Sequence, residues 1–340
     1  MPLFRNDYSE GAHPRILDAL VRTNLETTCG YGCDDHCARA AQTVRARFAC
    51  PNADVHFMVG GTITNTTVIA AALRPWECVI AAQTGHINVH ETGAIESSGH
   101  KICSVPTPDG KLTPALVRSV MTEHENGQNE HMVAPRMVYI SNATELGTLY
   151  TKAELSALHE VCRELGLYLF LDGARLAQAL TAESSDLQPE DLAQLCDVFY
   201  IGGTKNGLLF GEALVILSDA LKPCFRHMIK QRGGMLAKGR LLGVQFAAYF
   251  ENDLWLDMGR HATLLAQKLA DGLRQKGYRF YAESPTNQIF PILTNEQYAA
   301  MQARFGCEFT AAIDERHTAA RFVTSWASEE ADIEAVLAAL

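Results

Sequence analysis

The chain has 340 residues, 47% of them hydrophobic and 20% charged, enough to bury the core of one large domain or two modest ones. Its formal net charge of -10 and its lack of clustered Lys and Arg argue against a nucleic-acid surface, and no apolar run approaches the roughly 20 residues of a membrane-spanning helix. The start, MPLFRNDYSEGAHP, lacks the apolar core of a signal peptide, and ten cysteines are scattered without the even framework of a small secreted scaffold, so a cytosolic (cytoplasmic) chain with reduced thiols is expected.

Nearest the start, Cys29, Cys33 and Cys37 recur every four residues, a spacing that would line three sulfurs along one helix face. That pattern admits a metal, although the C-x-x-C pair of common zinc sites is missing and no second pair follows. Residues 54–73, DVHFMVGGTITNTTVIAAAL, then read as a strand, a Gly60-Gly61-Thr62 turn and an apolar helix. A helix opening there leaves unpaired N–H groups at the positive end of its dipole, which suits a phosphate; an ordinary turn feeding a helix would look the same. The glycines match neither G-x-G-x-x-G nor the P-loop lysine pattern. A further strand, ECVIAA (77–82), leads into QTGHINVHETGA, which offers His86 and His90, either for the face of a ring or for a structural role.

RMVYI (136–140) is a short β-branched run. Thr151 and Glu154 then form a capping-box pattern, Leu155, Leu158, Val161, Cys162 and Leu165 follow at helical spacing, and Gly166 supplies a stop. Next comes LYLFLD, an apolar strand ending at Asp172. Strand, helix and strand in that order predict parallel neighbours in a sheet buried on both faces; CDVFYIGG (196–203) reads as one more, so the core is expected to be α/β. From about residue 252 the pattern changes to a long helix over 253–277, strands in YRFYAE, QIFPIL and ARFVTSW, and a final helix over 329–340. The expected domains are 1–251, large and with an N-terminal arm, and 252–340, smaller and α+β; no repeat or polar linker divides them.

In open parallel sheets, ligands sit beyond the carboxyl ends of the strands, and three such ends here are chemically loaded. Asp172 closes an apolar strand where an unpaired carboxylate would be costly, so it faces a cation or a protonated heterocycle, or else pairs locally with Arg175. Lys205 follows Thr204 among glycines; a partly desolvated lysine has the lowered pKa that attack on a carbonyl needs, while a surface lysine is the ordinary alternative. The flanking glycines read as room for a cofactor and an incoming amino acid. A phosphate cradle, an aspartate and a lysine on one sheet edge are the parts that hold pyridoxal 5'-phosphate. The lysine forms the Schiff base, the aspartate keeps the pyridine nitrogen protonated, and the helix start holds the phosphate.

With these residues placed, the sequence resembles the pyridoxal-phosphate-dependent threonine aldolases, within the aspartate-aminotransferase-like fold and close to the β-eliminating lyases. The likeness spans most of the chain, through FRNDYSEGAHP, YGCDD, GGTITNT, HINVHETGA, LFLDGARL, GGTKNG and ARFVTSW. LDGARL followed by a glycine-flanked lysine is its most specific element. The resemblance implies the PLP-dependent transferase fold of type I, with a large, mostly parallel sheet flanked by helices and a smaller C-terminal α+β domain.

Residue by residue it implies Lys205 as the Schiff-base lysine, Asp172 as the pyridinium partner and His86 stacked on the ring. Gly61 and Thr62 would hold the phosphate, with Thr204 and Arg175 also beside the cofactor. Ser9, Arg175 and Arg321 resemble the groups that bind the substrate α-carboxylate, and Tyr31 a tyrosine that reaches a neighbouring subunit's site. Arg232 and Lys238 fall where the family has cationic contacts. The family is usually tetrameric, with sites at a dimer interface. The implied reaction is retro-aldol cleavage of L-threonine, L-allo-threonine or a related β-hydroxy-α-amino acid to glycine and an aldehyde. One position departs: low-specificity members carry a second histidine after the strand equivalent to VYIS, where SNATELGTLY offers Glu145. The β-hydroxyl proton is therefore open to His86, Glu145 or a water. A β-eliminating lyase, racemase or aminotransferase would use nearly the same residues, and a metal-binding α/β protein built on Cys29, Cys33 and Cys37 is the alternative from another class.

Overall fold

The strand, helix, strand order expected in the middle of the chain is present in a computed structural model, which describes residues 4–340. Seven strands make the large sheet: β1 (Asp54–Met58), β2 (Glu77–Ala82), β3 (Ile102–Val105), β4 (Ala134–Ser141), β5 (Tyr168–Asp172), β6 (Val198–Gly202) and β7 (Glu212–Ile216). Their spatial order is β1-β7-β6-β5-β4-β2-β3, and β7 alone runs against its neighbours. Between β4 and β5, helix Lys152–Leu165 opens on the Thr151–Glu154 capping box, buries Leu155, Leu158, Val161 and Cys162, and stops at Gly166, whose φ of +67° suits a residue without Cβ.

Both faces of the sheet are covered, so side chains sort by parity along each strand. Val138, Ile140, Leu169, Leu171, Phe199 and Ile201 enter one core, while Met137, Tyr139, Phe170, Val198 and Tyr200 enter the other. Parity also decides what meets at the strand ends. Asp172 shares the face of Phe170, and its register partner on β4 is Ser141, which shares the face of Tyr139. Three neighbouring strands thereby turn Ser141, Tyr139, Asp172 and Tyr200 to one side.

A third core gathers around β8 (Gln288–Ile289), β9 (Ile292–Thr294), β10 (Glu308–Ala312), β11 (His317–Val323) and the final helix, Glu330–Ala339. Helix Leu254–Gln275 serves two cores: Leu254, Trp255 and Met258 pack with the large sheet, and Ala266, Leu269, Ala270 and Leu273 with the small one. Phe4 of the N-terminal arm lies in the third core against Phe305 and Phe322, and its main chain bonds to Phe305 and Val323.

Three local expectations are corrected. QIFPIL is two short strands, because Pro291 has no N–H to continue a ladder; YRFYAE in turn contributes only the bridge from Phe280 to Pro291. Cys29, Cys33 and Cys37 do not share a helix face. Tyr31 and Gly32 have φ of +59° and +73°, and helix Asp35–Arg47 begins only after Asp34, whose carboxylate accepts the Cys37 N–H. All ten cysteines are unbridged, and burial pushes the Cys37 thiol up to about 12, away from the thiolate a metal requires. Among the described residues, no three His, Cys, Asp or Glu side chains gather as a metal site, and no helix is long and apolar enough to cross a membrane.

Candidate active site

Beyond the carboxyl ends of β4, β5 and β6 lies a cavity of about 370 Å³, within the range of small-ligand sites. It brings together Gly61, Thr62, His86, Glu145, Asp172, Arg175, Thr204 and Lys205, eight of the residues singled out in the sequence.

Asp172 is 3% exposed. Its Oδ2 accepts the Tyr139 hydroxyl at 2.5 Å and the Asn65 amide at 3.3 Å, and its Oδ1 accepts the Ala174 N–H at 3.0 Å. Burial alone would raise its pKa; His86 and the Tyr139 and Tyr200 hydroxyls outweigh that and hold it below the ordinary carboxylate range. Asp172 is therefore an ionised carboxylate at neutral pH. The local pair with Arg175 does not form.

Lys205 sits on the loop joining β6 to β7. Burial and the neighbouring Arg175 charge depress its pKa, opposed by Asp7, Asp172 and Glu212. Glu212, the first residue of β7, ties down the lysine's neighbours: it accepts the Thr204 hydroxyl at 2.8 Å and the Gly203 N–H at 3.0 Å. Burial pushes Glu212 up to about 8 against those donors. The glycines before the lysine have a different reason from the expected one. A Cβ on Gly202 would lie 2.2 Å from the Ala174 carbonyl oxygen, and one on Gly203 would lie 2.7 Å from that of Gly211, so backbone packing excludes side chains there.

His86 opens a one-turn helix, His86–Val89, and is held at two points. Its ring Nδ1 meets Glu91 Oε1 at 2.9 Å, and its main-chain N–H donates to Glu145 Oε1 at 2.9 Å. Asn65 donates to the same Glu91 oxygen at 2.8 Å, so one amide joins Glu91 to Asp172. Glu145 also accepts the Ser141 hydroxyl at 2.8 Å on Oε1, and burial raises its pKa against that donor.

On the opposite wall, Arg175 is clamped by a residue the sequence reading missed. Its Nε donates to Asp7 Oδ2 at 2.7 Å and its Nη2 to Asp7 Oδ1 at 3.1 Å. Arg321 of β11 pairs with Glu308, its cross-strand partner on β10. The field of Arg321 reaches His90, which lines the cavity beside His86 with ring centroids 5.5 Å apart.

Other expected residues lie elsewhere in the protomer. Ser9 is exposed and donates to Asn6 at 2.9 Å, while its neighbour Tyr8 lines the cavity with its ring 6.0 Å from the Lys205 Nζ. Tyr31 lines a second cavity with His56 and Arg226, its ring 4.4 Å from the Lys230 Nζ. Arg232 borders a neighbouring cleft that shares Thr62, and its buried Nε has no partner among the described residues. Lys238 is exposed. Of the missed contributors, Asp7, Tyr8 and Asn65 lie within FRNDYSEGAHP and GGTITNT, segments that carry the resemblance, while Tyr139 and Glu212 lie outside every such segment and Tyr200 precedes GGTKNG as one more residue of an apolar strand.

The residues fit a phosphorylated pyridine aldehyde. A buried ionised carboxylate matches a protonated ring nitrogen, a desolvated amine matches the aldehyde, and helix Gly61–Ala72 begins at Gly60 without a side-chain cap, leaving its first N–H groups for an anion. A Cβ on Gly61 would come within 3.2 Å of the Tyr200 hydroxyl, so the cradle is tight against the sheet.

Comparison with known proteins agrees with this geometry. Residues 4–296 match the family model described as beta-eliminating lyase. A low specificity L-threonine aldolase of Pseudomonas aeruginosa is 34% identical over 98% of this chain and 94% of its own length. One of Saccharomyces cerevisiae is 28% identical over 84% of this chain and 73% of its own. The structure of a Leishmania major threonine aldolase superimposes with a TM-score of 0.97 at 49% identity, covering 99% of this chain and 98% of that one. A Thermus thermophilus aspartate aminotransferase shares the fold, with a TM-score of 0.73 at 14% identity over 99% of this chain and 90% of its own.

Proposed function

The chain belongs to the beta-eliminating lyase family, and on that premise we propose that it is a pyridoxal-phosphate-dependent aldehyde-lyase that cleaves β-hydroxy-α-amino acids such as L-threonine or L-allo-threonine to glycine and an aldehyde. The observation that carries this reading is the convergence of a depressed Lys205, an ionised buried Asp172 and an uncapped helix start in one cavity. Pyridoxal phosphate, when bound, supplies an aldehyde carbon for imine exchange and a ring that accepts the electron pair released at Cα.

The chain's own groups divide the remaining work. The Gly61 and Thr62 N–H groups would hold the phosphate, Asp172 would keep a proton at the ring nitrogen, and His86, fixed by Glu91, would flank the ring. Lys205, uncharged more readily than a surface lysine, would hold the cofactor's aldehyde carbon and be the group a substrate amine exchanges with. Arg175 and Arg321 bind the α-carboxylate, which sets the direction of the Cα–Cβ bond. Glu145 takes the β-hydroxyl proton: Ser141 and the His86 main chain anchor one of its oxygens, and its raised pKa brings it nearer to the operating pH than an exposed carboxylate.

As further parts of this reading, the protein works in the cytoplasm as a homo-oligomer, a tetramer in which Tyr31 reaches a neighbour's cavity; light scattering of the purified protein measures the assembly. The decisive experiment is a panel of β-hydroxy amino acids with glycine, aldehyde, ammonia and keto acid all quantified. Equal glycine and aldehyde is the expected result; ammonia or keto acid as the main product would move the protein to an eliminating or transaminating reaction on the same site. Borohydride should fix the cofactor on the peptide that contains Lys205.

A further inference from the structure

Asp7 is 1% exposed, yet its carboxylate is shared among three parts of the molecule. It belongs to the N-terminal arm, takes two donors from Arg175 just after β5, and takes a third from Asn287 just before β8, at 2.9 Å on Oδ2. On either side the arm is fixed: Phe4 in the small core, and Glu10 by the Ser325 hydroxyl at 3.1 Å. We propose that Asp7 is the positioning residue of the substrate-carboxylate site, aiming Arg175 through a two-point clamp and joining that aim to the seating of the small domain through Asn287. This rests on the reading of Arg175 as a carboxylate binder.

The clamp occupies Nε and Nη2 of a planar guanidinium, which fixes the plane and leaves Nη1 with no acceptor among the described residues. Arg175 lines the cavity, so Nη1 is the end available to a ligand there. A buried ion pair is poor glue. Replacing one by well-packed apolar side chains is often neutral or stabilising, so its retention beside a cavity points to a use. The charge balance points the same way. Arg175 lies near Lys205, Glu145, Tyr8 and Asp7, and Asp7, together with Asp172 and Glu212, offsets the guanidinium charge felt by Lys205. Arg321 likewise arrives with its own carboxylate, Glu308. An incoming carboxylate therefore meets at Arg175 a guanidinium already neutralised, where fit to aligned N–H groups counts for more than bulk positive charge.

The test uses the full-length holoenzyme and three variants. Asp7→Asn keeps the size but loses the charge; Asp7→Glu keeps the charge but displaces the fork; Asn287→Ala removes the small-domain contact to Asp7 along with the Asn287 bond to the Thr324 carbonyl. Asp7→Asn should raise KM for the β-hydroxy amino acid, and the dissociation constant of glycine followed by the visible spectrum, by about 10-fold or more, with a smaller change in kcat. It should also lower the pH midpoint of the cofactor absorbance change, because the Arg175 charge beside Lys205 is less fully offset. Asp7→Glu should raise KM while leaving that midpoint in place, and Asn287→Ala should raise KM by less. Hydrogen exchange of residues 4–13 in the holoenzyme should quicken in all three.

A lower melting temperature with unchanged KM, glycine affinity and midpoint would make Asp7 a mere tether and overturn the proposal. Should Asp7→Asn fail to fold, Asp7→Glu and Asn287→Ala decide on the same readouts. Arg175→Lys separates the two layers: if it leaves KM and glycine affinity unchanged, the carboxylate reading of Arg175 fails; if it raises both while the Asp7 variants do not, only the present inference fails.

Discussion

The ring-facing and carboxylate-facing walls of the Lys205 cavity are assembled in different ways. Asp172, Tyr139, Tyr200, Asn65, Glu91 and His86 form a buried network drawn from one sheet and the helices after its strands, and each is positioned by parity, register or a helix start. The other wall joins Arg175 to Asp7 of the arm, which Asn287, just before β8, also holds; Arg321 of β11 does not line the cavity and pairs with Glu308. The first wall draws on one sheet and the segments after its strands. The second draws on the arm, the turn after β5 and the segment before β8. Under the proposed function, the division would separate chemistry from recognition, with electron withdrawal at the first wall and substrate selection at the second.

That division can be broken by mutation. Asp172→Asn should lower kcat by about 10²- to 10⁴-fold with KM changed little, since it removes a charge that matters only as the bond breaks. Glu145→Gln should lower kcat by about 10²-fold and flatten the acidic limb of the pH–rate profile; a full rate with an unaltered limb would pass the proton to His86 or a water. Arg321→Ala should act on the other parameter, raising KM about 10-fold while kcat stays within a few-fold. If Asp172→Asn moved KM and Arg321→Ala moved kcat, the two walls would not be separate.

The smallest effect is on stability. Glu212 has its pKa raised from 4.5 to about 8 on folding, so the folded protein binds this proton more tightly than the unfolded chain. Its contribution is present in full below the unfolded value and is lost as pH rises toward 8. Glu212→Gln, neutral throughout, should flatten that fall in the melting temperature of the cofactor-free protein, measured from pH 5 to 9.

Much of the first wall was legible in the sequence, because its parts are local. An apolar run ending in Asp172, two glycines before a helix, and a lysine after a strand are all patterns within a few residues of their cause. Tyr139 and Tyr200 were hidden: nothing distinguishes a core tyrosine from one whose hydroxyl serves a carboxylate until the register is known. The second wall was less legible. Asp7 and Arg175 stand 168 residues apart, and only docking of the arm makes them a pair. Ser9, a plausible residue type, is in this chain exposed and bonded to Asn6, while its neighbour Tyr8 lines the cavity. The cysteine spacing misled because periodicity alone cannot locate a helix start; Asp34 does.

The reversed direction of β7 has a practical consequence. Most loops at this edge of the sheet run from a strand into a helix and can change length by shifting the helix. The loop that carries Lys205, residues 203–211, instead connects two adjacent strands locked in register from Val198 opposite Ile216 to Gly202 opposite Glu212. Insertions there have nowhere to go without displacing the lysine. An engineer seeking a new substrate range should therefore leave this hairpin at its native length and diversify the segments after β2 and β4, where His90 and Glu145 border the same space.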